Sequence, residues 1–179
     1  LTLSNFQGIR DLTINFNGKD TNIMGDNGTG KTTVFNALTW LLFDKSSTGA
    51  KGFNPKTKGG DGEDIHYLNH SAEATFSLEN GRIITFKKVM YEDWKKKRGS
   101  NEEEFSGHLF DRFVDGVPVK ENEYINALMM LCGTEKMLML MNPAEFPENI
   151  TWETRRRILL DICGDITDKD VILSNKELA

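Results

Sequence analysis

Apolar and polar residues alternate through Leu1–Phe6 and Leu12–Phe16. This period of two is that of strands with one covered face. Gln7-Gly8 and Asn17-Gly18 punctuate the two runs as turns. A third short apolar run, Thr21–Met24, predicts another strand, and a Gly-rich turn follows over Gly25–Gly30. From Lys31 to about Phe43 the period changes: Val34, Phe35, Ala37, Leu38, Leu41 and Leu42 recur at helical spacing. Residues 44–63 carry five glycines, Pro55 and many polar side chains, which predicts a loop, mobile without ligand. Strand patterns return at Glu73–Leu78 and Arg82–Val89, joined by the hairpin signal Asn80-Gly81. Glu92–Glu104 reads as a charged excursion, and Gly107–Val114 as a further strand closed by Asp115-Gly116. Helical patterns follow over Glu121–Leu131, Thr134–Met141 and Thr151–Cys163, with Thr151 as N-cap, and one more starts near Thr167–Asp170. The order is strands, a helix, more strands, then helices: a mixed α/β chain without internal repeats.

Composition narrows the class. With 38% hydrophobic and 27% charged residues in 179, the chain can bury a core and is neither disordered nor collagen-like. No apolar run reaches the ~18 residues of a membrane span. Two cysteines are too few for a disulfide framework and fit a reducing compartment. The net charge of −5 is uneven. Residues 1–60 carry 7 basic and 4 acidic side chains, and residues 121–179 carry 6 and 11. An acidic chain binds nucleic acid poorly unless Lys and Arg are locally in excess. The basic runs Lys95–Arg98 and Arg155–Arg157 are the local candidates; a solvated face is the alternative for both.

The chemistry lies in Gly25-Asp26-Asn27-Gly28-Thr29-Gly30-Lys31-Thr32, which fits G-x-x-x-x-G-K-[ST], the phosphate-binding P-loop. A predicted strand precedes it and a predicted helix follows, as that motif requires. Backbone N–H groups converge on a polyphosphate only where side chains do not obstruct them, hence Gly25, Gly28 and Gly30. The helix start adds its own N–H groups and dipole. Lys31 is expected on the β- and γ-phosphates, Thr32 on Mg²⁺, and Thr33 toward the α-phosphate. Asp26, Asn27 and Thr29 complete the loop. Hydrolysis also needs a carboxylate for the metal's water shell and a group orienting the attacking water. No apolar strand ending in Asp or Asp-Glu follows the motif, and no L-S-G-G-Q-like segment is present. The sequence therefore predicts a chain that binds ATP and does not turn it over alone.

Asn5-Phe6-Gln7-Gly8-Ile9-Arg10, an apolar strand, and Asn22 through Thr33 resemble the N-terminal ATPase lobe of SMC-like proteins. The nearest type is the SbcC-like ATPase subunit of double-strand-break repair nucleases, bacteriophage and prophage forms in particular. The Ala72–Val89 strands, the Trp94–Gly99 excursion, Gly107-His108, Asp115 through Pro118, Asn142 through Phe146, Trp152 and Arg155 through Leu160 extend the likeness over essentially the whole chain. The resemblance implies an α/β P-loop NTPase fold, an ABC/SMC-type lobe spanning residues 1–179. Its second lobe would follow a long coiled coil and carry the Walker B and signature motifs. It further implies ATP and Mg²⁺ as ligands, a homodimer of heads, a nuclease subunit and double-stranded DNA as partners, no membrane, and a cytoplasmic site of action, bacterial or phage-encoded. Arg10 would approach the nucleotide. Asn142 would stand where the family has a glutamine contacting metal and attacking water; an Asn-Pro turn is its other reading.

The remaining residues read more plainly. His66, His70 and His108 show no metal-ligand spacing and fit solvent or satisfied strand positions. The methionines of Leu128–Met141 fit core or lobe-to-lobe packing, or partner docking. Arg155–Arg157 fit DNA phosphates or the neighbouring lobe. An SMC-type tether or a phage recombination ATPase without a nuclease is the first rival reading. An ABC transporter ATPase and a small nucleotide kinase are the others, and the residues expected of each are missing.

Overall fold

The computed structural model describes residues 1–50, 52–97, 99, 102–132, 146, 150–164, 170 and 174. The chain divides into two units, Leu1–Gly133 and Thr134–Ala179. In the first, six strands form one sheet in the order β2-β1-β3-β4-β5-β6. They are β1 (Thr2–Phe6), β2 (Ile9–Thr13), β3 (His70–Ser77), β4 (Ile83–Lys96), β5 (Glu103–Val114) and β6 (Val117–Val119). Every described pairing is antiparallel. Helices α1 (Lys31–Phe43) and α2 (Glu121–Cys132) belong to the same unit, and α3 (Trp152–Cys163) to the second.

The core follows from the two periodicities. In β4 every second residue is buried: Ile84, Phe86, Lys88 and Met90. In α1 the buried set Val34, Ala37, Trp40 and Leu41 makes one stripe. Ile84, Phe86 and Met90 meet Ala37, Trp40 and Leu41, with Leu3, Phe6, Ala72, Ala74, Tyr124 and Leu128, in a single cluster. Phe6 meets the edge of Trp40 at 5.4 Å, and Phe86 meets Tyr124 at the same distance. Lys88 is the one charged intruder among these strand positions. Its ammonium donates to the Trp40 carbonyl at 3.2 Å, pairs with the Asp44 carboxylate, and lies 4.8 Å from the Trp40 ring.

The helix α1, the Asn80-Gly81 turn and the Asp115-Gly116 turn stand where the pattern put them. Gly81 (φ 79°) and the pair Asp115 (φ 50°) and Gly116 (φ 78°) supply the positive φ that such turns require. Helix α3 runs from Trp152 to Cys163, with Thr151 as N-cap and Gly164 at its end. The Thr151 hydroxyl donates to the Thr154 hydroxyl at 3.1 Å rather than capping the backbone.

Four expectations are corrected. The second strand is Ile9–Thr13, not Leu12–Phe16. The tight Gln7-Gly8 turn sets Phe6 opposite Ile9 and Thr2 opposite Thr13, so pairing ends before Phe16. Thr21–Met24 forms no strand, because among the described residues nothing pairs with it; Met24 is 84% exposed. The charged excursion at Glu92–Glu104 is largely ladder. Beyond a bulge at Asp93/Trp94, Lys95 stands opposite Glu104 and Lys96 opposite Glu103. Strand β3 starts at His70, ahead of the expected Glu73, because His70 stands opposite Met90 of β4 and Ser71 opposite both Val89 of β4 and Ser4 of β1. Thr134–Met141 lies outside the described residues. Of Thr167–Asp170 only Asp170 is described, and it is helical.

Candidate functional site

The Gly25–Thr32 segment lies between an exposed approach, residues 21–24, and the N-terminus of α1. Gly25 (φ 154°), Gly28 (φ 82°) and Gly30 (φ 92°) all take positive φ, conformations that L side chains resist. A Cβ on Gly25 would come 2.9 Å from the Thr29 hydroxyl oxygen. That hydroxyl donates to the Asp26 carbonyl at 2.8 Å and closes the turn. Residues 26–29 stay solvent-facing.

Gly30 is the N-cap of α1, with no side chain to cap it, and the first turn carries no acidic residue. The helical ladder opens at Val34 N–H to Gly30 C=O, 3.2 Å. The N–H groups of Lys31, Thr32 and Thr33 precede that bond and are the helix's orphan donors. Positive helix-end potential is therefore uncompensated at this loop. The Lys31 ammonium folds back over it, donating to the Gly25 carbonyl at 2.8 Å and the Asp26 carbonyl at 2.6 Å. These carbonyl oxygens stand in for the anionic oxygens that a lysine at this position would otherwise meet. Open glycine backbone, orphan donors and a lysine over the concavity together fit a polyphosphate. Thr32 is exposed at the same helix end, where its hydroxyl can reach a cation.

Strand β2 begins against this loop: a Cβ on Gly30 would sit 3.6 Å from the Ile9 side chain. Arg10 is the next residue and is exposed. The fold thus brings the start of Arg10's strand against Gly30, while Asp26, Asn27, Gly28, Thr29, Lys31, Thr32 and Thr33 flank that glycine along the loop and the first turn of α1. Asn142 lies outside the described residues.

A second polar centre was not anticipated. The Glu92 side chain is 2% exposed and four donors converge on it. Lys56 Nζ at 2.6 Å and His66 Nδ1 at 2.8 Å reach Oε1. The Tyr67 N–H at 3.0 Å and Trp94 Nε1 at 2.9 Å reach Oε2. Burial alone would push this carboxyl's pKa up; the four hydrogen bonds outweigh it and hold the pKa well below the usual range. Asp64 adds a second anion 3.4 Å from Lys56. The signal in the sequence was an acidic pair, Glu92-Asp93, inside the strand-like run Val-Met-Tyr-Glu-Asp-Trp.

His70 is buried on β3, its Nδ1 bonded to the Asn5 carbonyl; its Nε2 has no partner among the described residues. His108 lies on β5 with its ring 5.1 Å from Phe105. Met129 and Met130 are exposed, 52% and 85%, so they are not core residues of their unit, whereas Leu128 is. In the second unit, Arg155 and Arg156 border an apolar hollow with Trp152, Leu159 and Cys163.

A family model described as "AAA domain" matches residues 1–176. A curated relative, the DNA double-strand break repair Rad50 ATPase of Methanococcus maripaludis, is 23% identical over 204 residues. The match covers 99% of this chain and 19% of that protein, so the chain spans about a fifth of the relative's length. A solved structure, described as concerning ATP-driven dimerization and DNA-stimulated activation of SMC ATPases, is similar in fold. Its TM-score is 0.59 at 14% identity, over 90% of this chain and 96% of that one. The α/β fold expected from the sequence is the one observed, and it is shared with that solved structure.

Proposed function

We propose, on the premise that this chain belongs to the AAA domain family, that it is the ATP-binding N-terminal lobe of an SMC-like DNA-repair ATPase. The observation that carries this reading is the Lys31 ammonium folded over an open glycine loop at an uncapped helix N-terminus. The names of the similar proteins support the biological setting: one is a DNA double-strand break repair ATPase, the other concerns SMC ATPases.

In this reading the backbone N–H groups of residues 26–33 receive the phosphates. Lys31 exchanges the two carbonyls for the β- and γ-phosphate oxygens. The Thr32 hydroxyl would hold Mg²⁺, which would supply positive charge to offset that of the phosphates. Thr33 serves the α-phosphate side, Arg10 approaches the nucleotide from β2, and Asn142 assists at the metal. The carboxylates for hydrolysis come from a second lobe. Exposed, strand-patterned Thr21–Met24 supports that division, since apolar side chains without a partner strand are those of an element completed elsewhere. Two heads then close on ATP and reopen on hydrolysis, gating a nuclease partner's access to duplex DNA in the cytoplasm. Among the described residues no helix is long and apolar enough to cross a membrane.

Isothermal titration of the full-length protein with ATP and MgCl₂ tests the site. Lys31→Ala should abolish measurable binding; undiminished affinity refutes the assignment. ATPase rates with and without duplex DNA test the repair reading, and stimulation by DNA is expected. A DNA-stimulated ATPase that activates no nuclease would favour the tether alternative.

A further inference from the structure

Segment 53–69 bridges two places that the nucleotide reading leaves separate. Through Pro55, Thr57 and Asn69 it clasps the β1–β2 turn. The Gln7 N–H donates to the Pro55 carbonyl at 2.7 Å, the Thr57 hydroxyl to the Asn5 carbonyl at 2.9 Å, and Asn5 Nδ2 to the Asn69 carbonyl at 3.1 Å. Phe53 stacks on Phe6 at 5.9 Å. Between and beside these residues it is held to β4 by Glu92, through Lys56, His66 and the Tyr67 backbone. The clasped turn leads directly into Ile9, which packs against Gly30, and Arg10.

The anchor is unusual in kind. Pro55 and Lys56 are buried, so the segment is seated at these two residues while much of residues 58–69 faces solvent. A buried carboxylate taking four donors costs desolvation that a simple surface loop would not need. Tyr67 holds a positive φ of 61° beside it, a conformation that persists only where neighbours over-determine it. Its ring stacks on Trp94 at 4.9 Å. Fixing Lys56 fixes its neighbours Pro55 and Thr57, which make the clasp.

We infer that Glu92 is a positioning residue for the nucleotide site: through segment 53–69 it sets the Gln7–Arg10 turn, and with it Arg10, against the P-loop. This rests on the nucleotide reading of that loop. It assigns Glu92 no contact with nucleotide.

Glu92→Gln is the informative change, in the full-length protein. The carboxamide keeps the shape but turns one acceptor oxygen into a donor, so either Lys56 and His66 or Tyr67 N–H and Trp94 Nε1 face a donor. The Kd for ATP with MgCl₂ should rise by roughly threefold to tenfold, and hydrogen exchange at the Gln7 amide should accelerate while α1 amides hold. In a double-mutant cycle with Arg10→Ala, the two losses should overlap and fall short of their product. Unchanged affinity, or losses that multiply, would overturn the inference. If Glu92→Gln does not fold by far-ultraviolet circular dichroism, His66→Ala removes one half-exposed donor and should show the same overlap, more weakly. Lys31→Ala separates the two failures. If it abolishes binding while Glu92→Gln changes nothing, only the positioning role falls. If it binds ATP normally, the nucleotide site itself falls.

Discussion

Lys88 shows how one residue can sit against the rule of its own strand. It occupies an inward position of β4, 1% exposed, between Phe86 and Met90. Burial pushes its ammonium's pKa down, and the Asp44 carboxylate opposes the shift. The ammonium also caps the C-terminus of α1, where the helix dipole favours a cation. Asp44, however, is about half exposed, so it returns to water if Lys88 is removed and is not stranded. Lys88→Met keeps the volume, removes the desolvated charge and lays sulfur against Trp40. It should therefore leave stability unchanged or raise it by about 1 kcal/mol. Lys88→Ala should lose about 2–4 kcal/mol to the cavity. Urea denaturation of both variants checks the contrast, and a loss above about 2 kcal/mol for Lys88→Met would show the charge to be structural. Position 88 was legible as a strand residue only. Its burial depends on which face α1 covers, which the period of two leaves open.

At the scale of elements, what was legible was local. Helix α1 shows its stripe and its glycine start, and the two hairpin turns carry their own positive-φ residues, so a short window suffices. What was not legible depended on partners. The β2 register follows from the length of the turn after β1, and the β4–β5 ladder runs on through Lys95–Lys96 because Glu103–Glu104 answer across it. Charge reads as loop until the opposite strand is known. The β1–β3 junction gives a testable case. His70 of β3 is buried on the Asn5 carbonyl of β1, and burial holds its pKa below the ordinary value near 6.5. His108 is shifted the same way. As pH falls through about 6.5 the unfolded chain takes these protons first, so stability falls with pH there. Glu92 is depressed, so its contribution stands above the unfolded carboxyl pKa, near 4.3, and is lost on further acidification. Denaturation midpoints from pH 8 to 3 should decline in two stages. His70→Gln should shrink the upper stage to the part His108 contributes and leave the lower one; an unaltered upper stage would remove His70 as a source.

For the whole molecule the decisive feature is Thr21–Met24. The segment enters the P-loop directly, so its position governs where the loop points. Yet Ile23 and Met24 are exposed, and no described strand pairs with it. Backbone N–H and C=O groups of an extended segment are satisfied by a neighbouring strand or by water, and exposed apolar side chains favour the strand. If this chain is one lobe of a head, residues from elsewhere in the full-length protein complete that pairing. Hydrogen exchange followed by mass spectrometry decides it. In the full-length protein the peptide spanning Thr21–Met24 should be protected over minutes to hours, to a degree approaching the β3–β4 ladder. The Gly25–Gly30 amides should gain protection only when ATP and MgCl₂ are added. Rapid exchange of Thr21–Met24 in the full-length protein would mean that the segment is water-bonded everywhere, and the lobe reading would lose its structural support. The order of the two effects matters as well. Protection of the segment without nucleotide, followed by protection of the loop with it, is what a pre-formed scaffold and an induced phosphate clasp would produce. Simultaneous protection on adding ATP would instead make nucleotide binding the event that assembles the head.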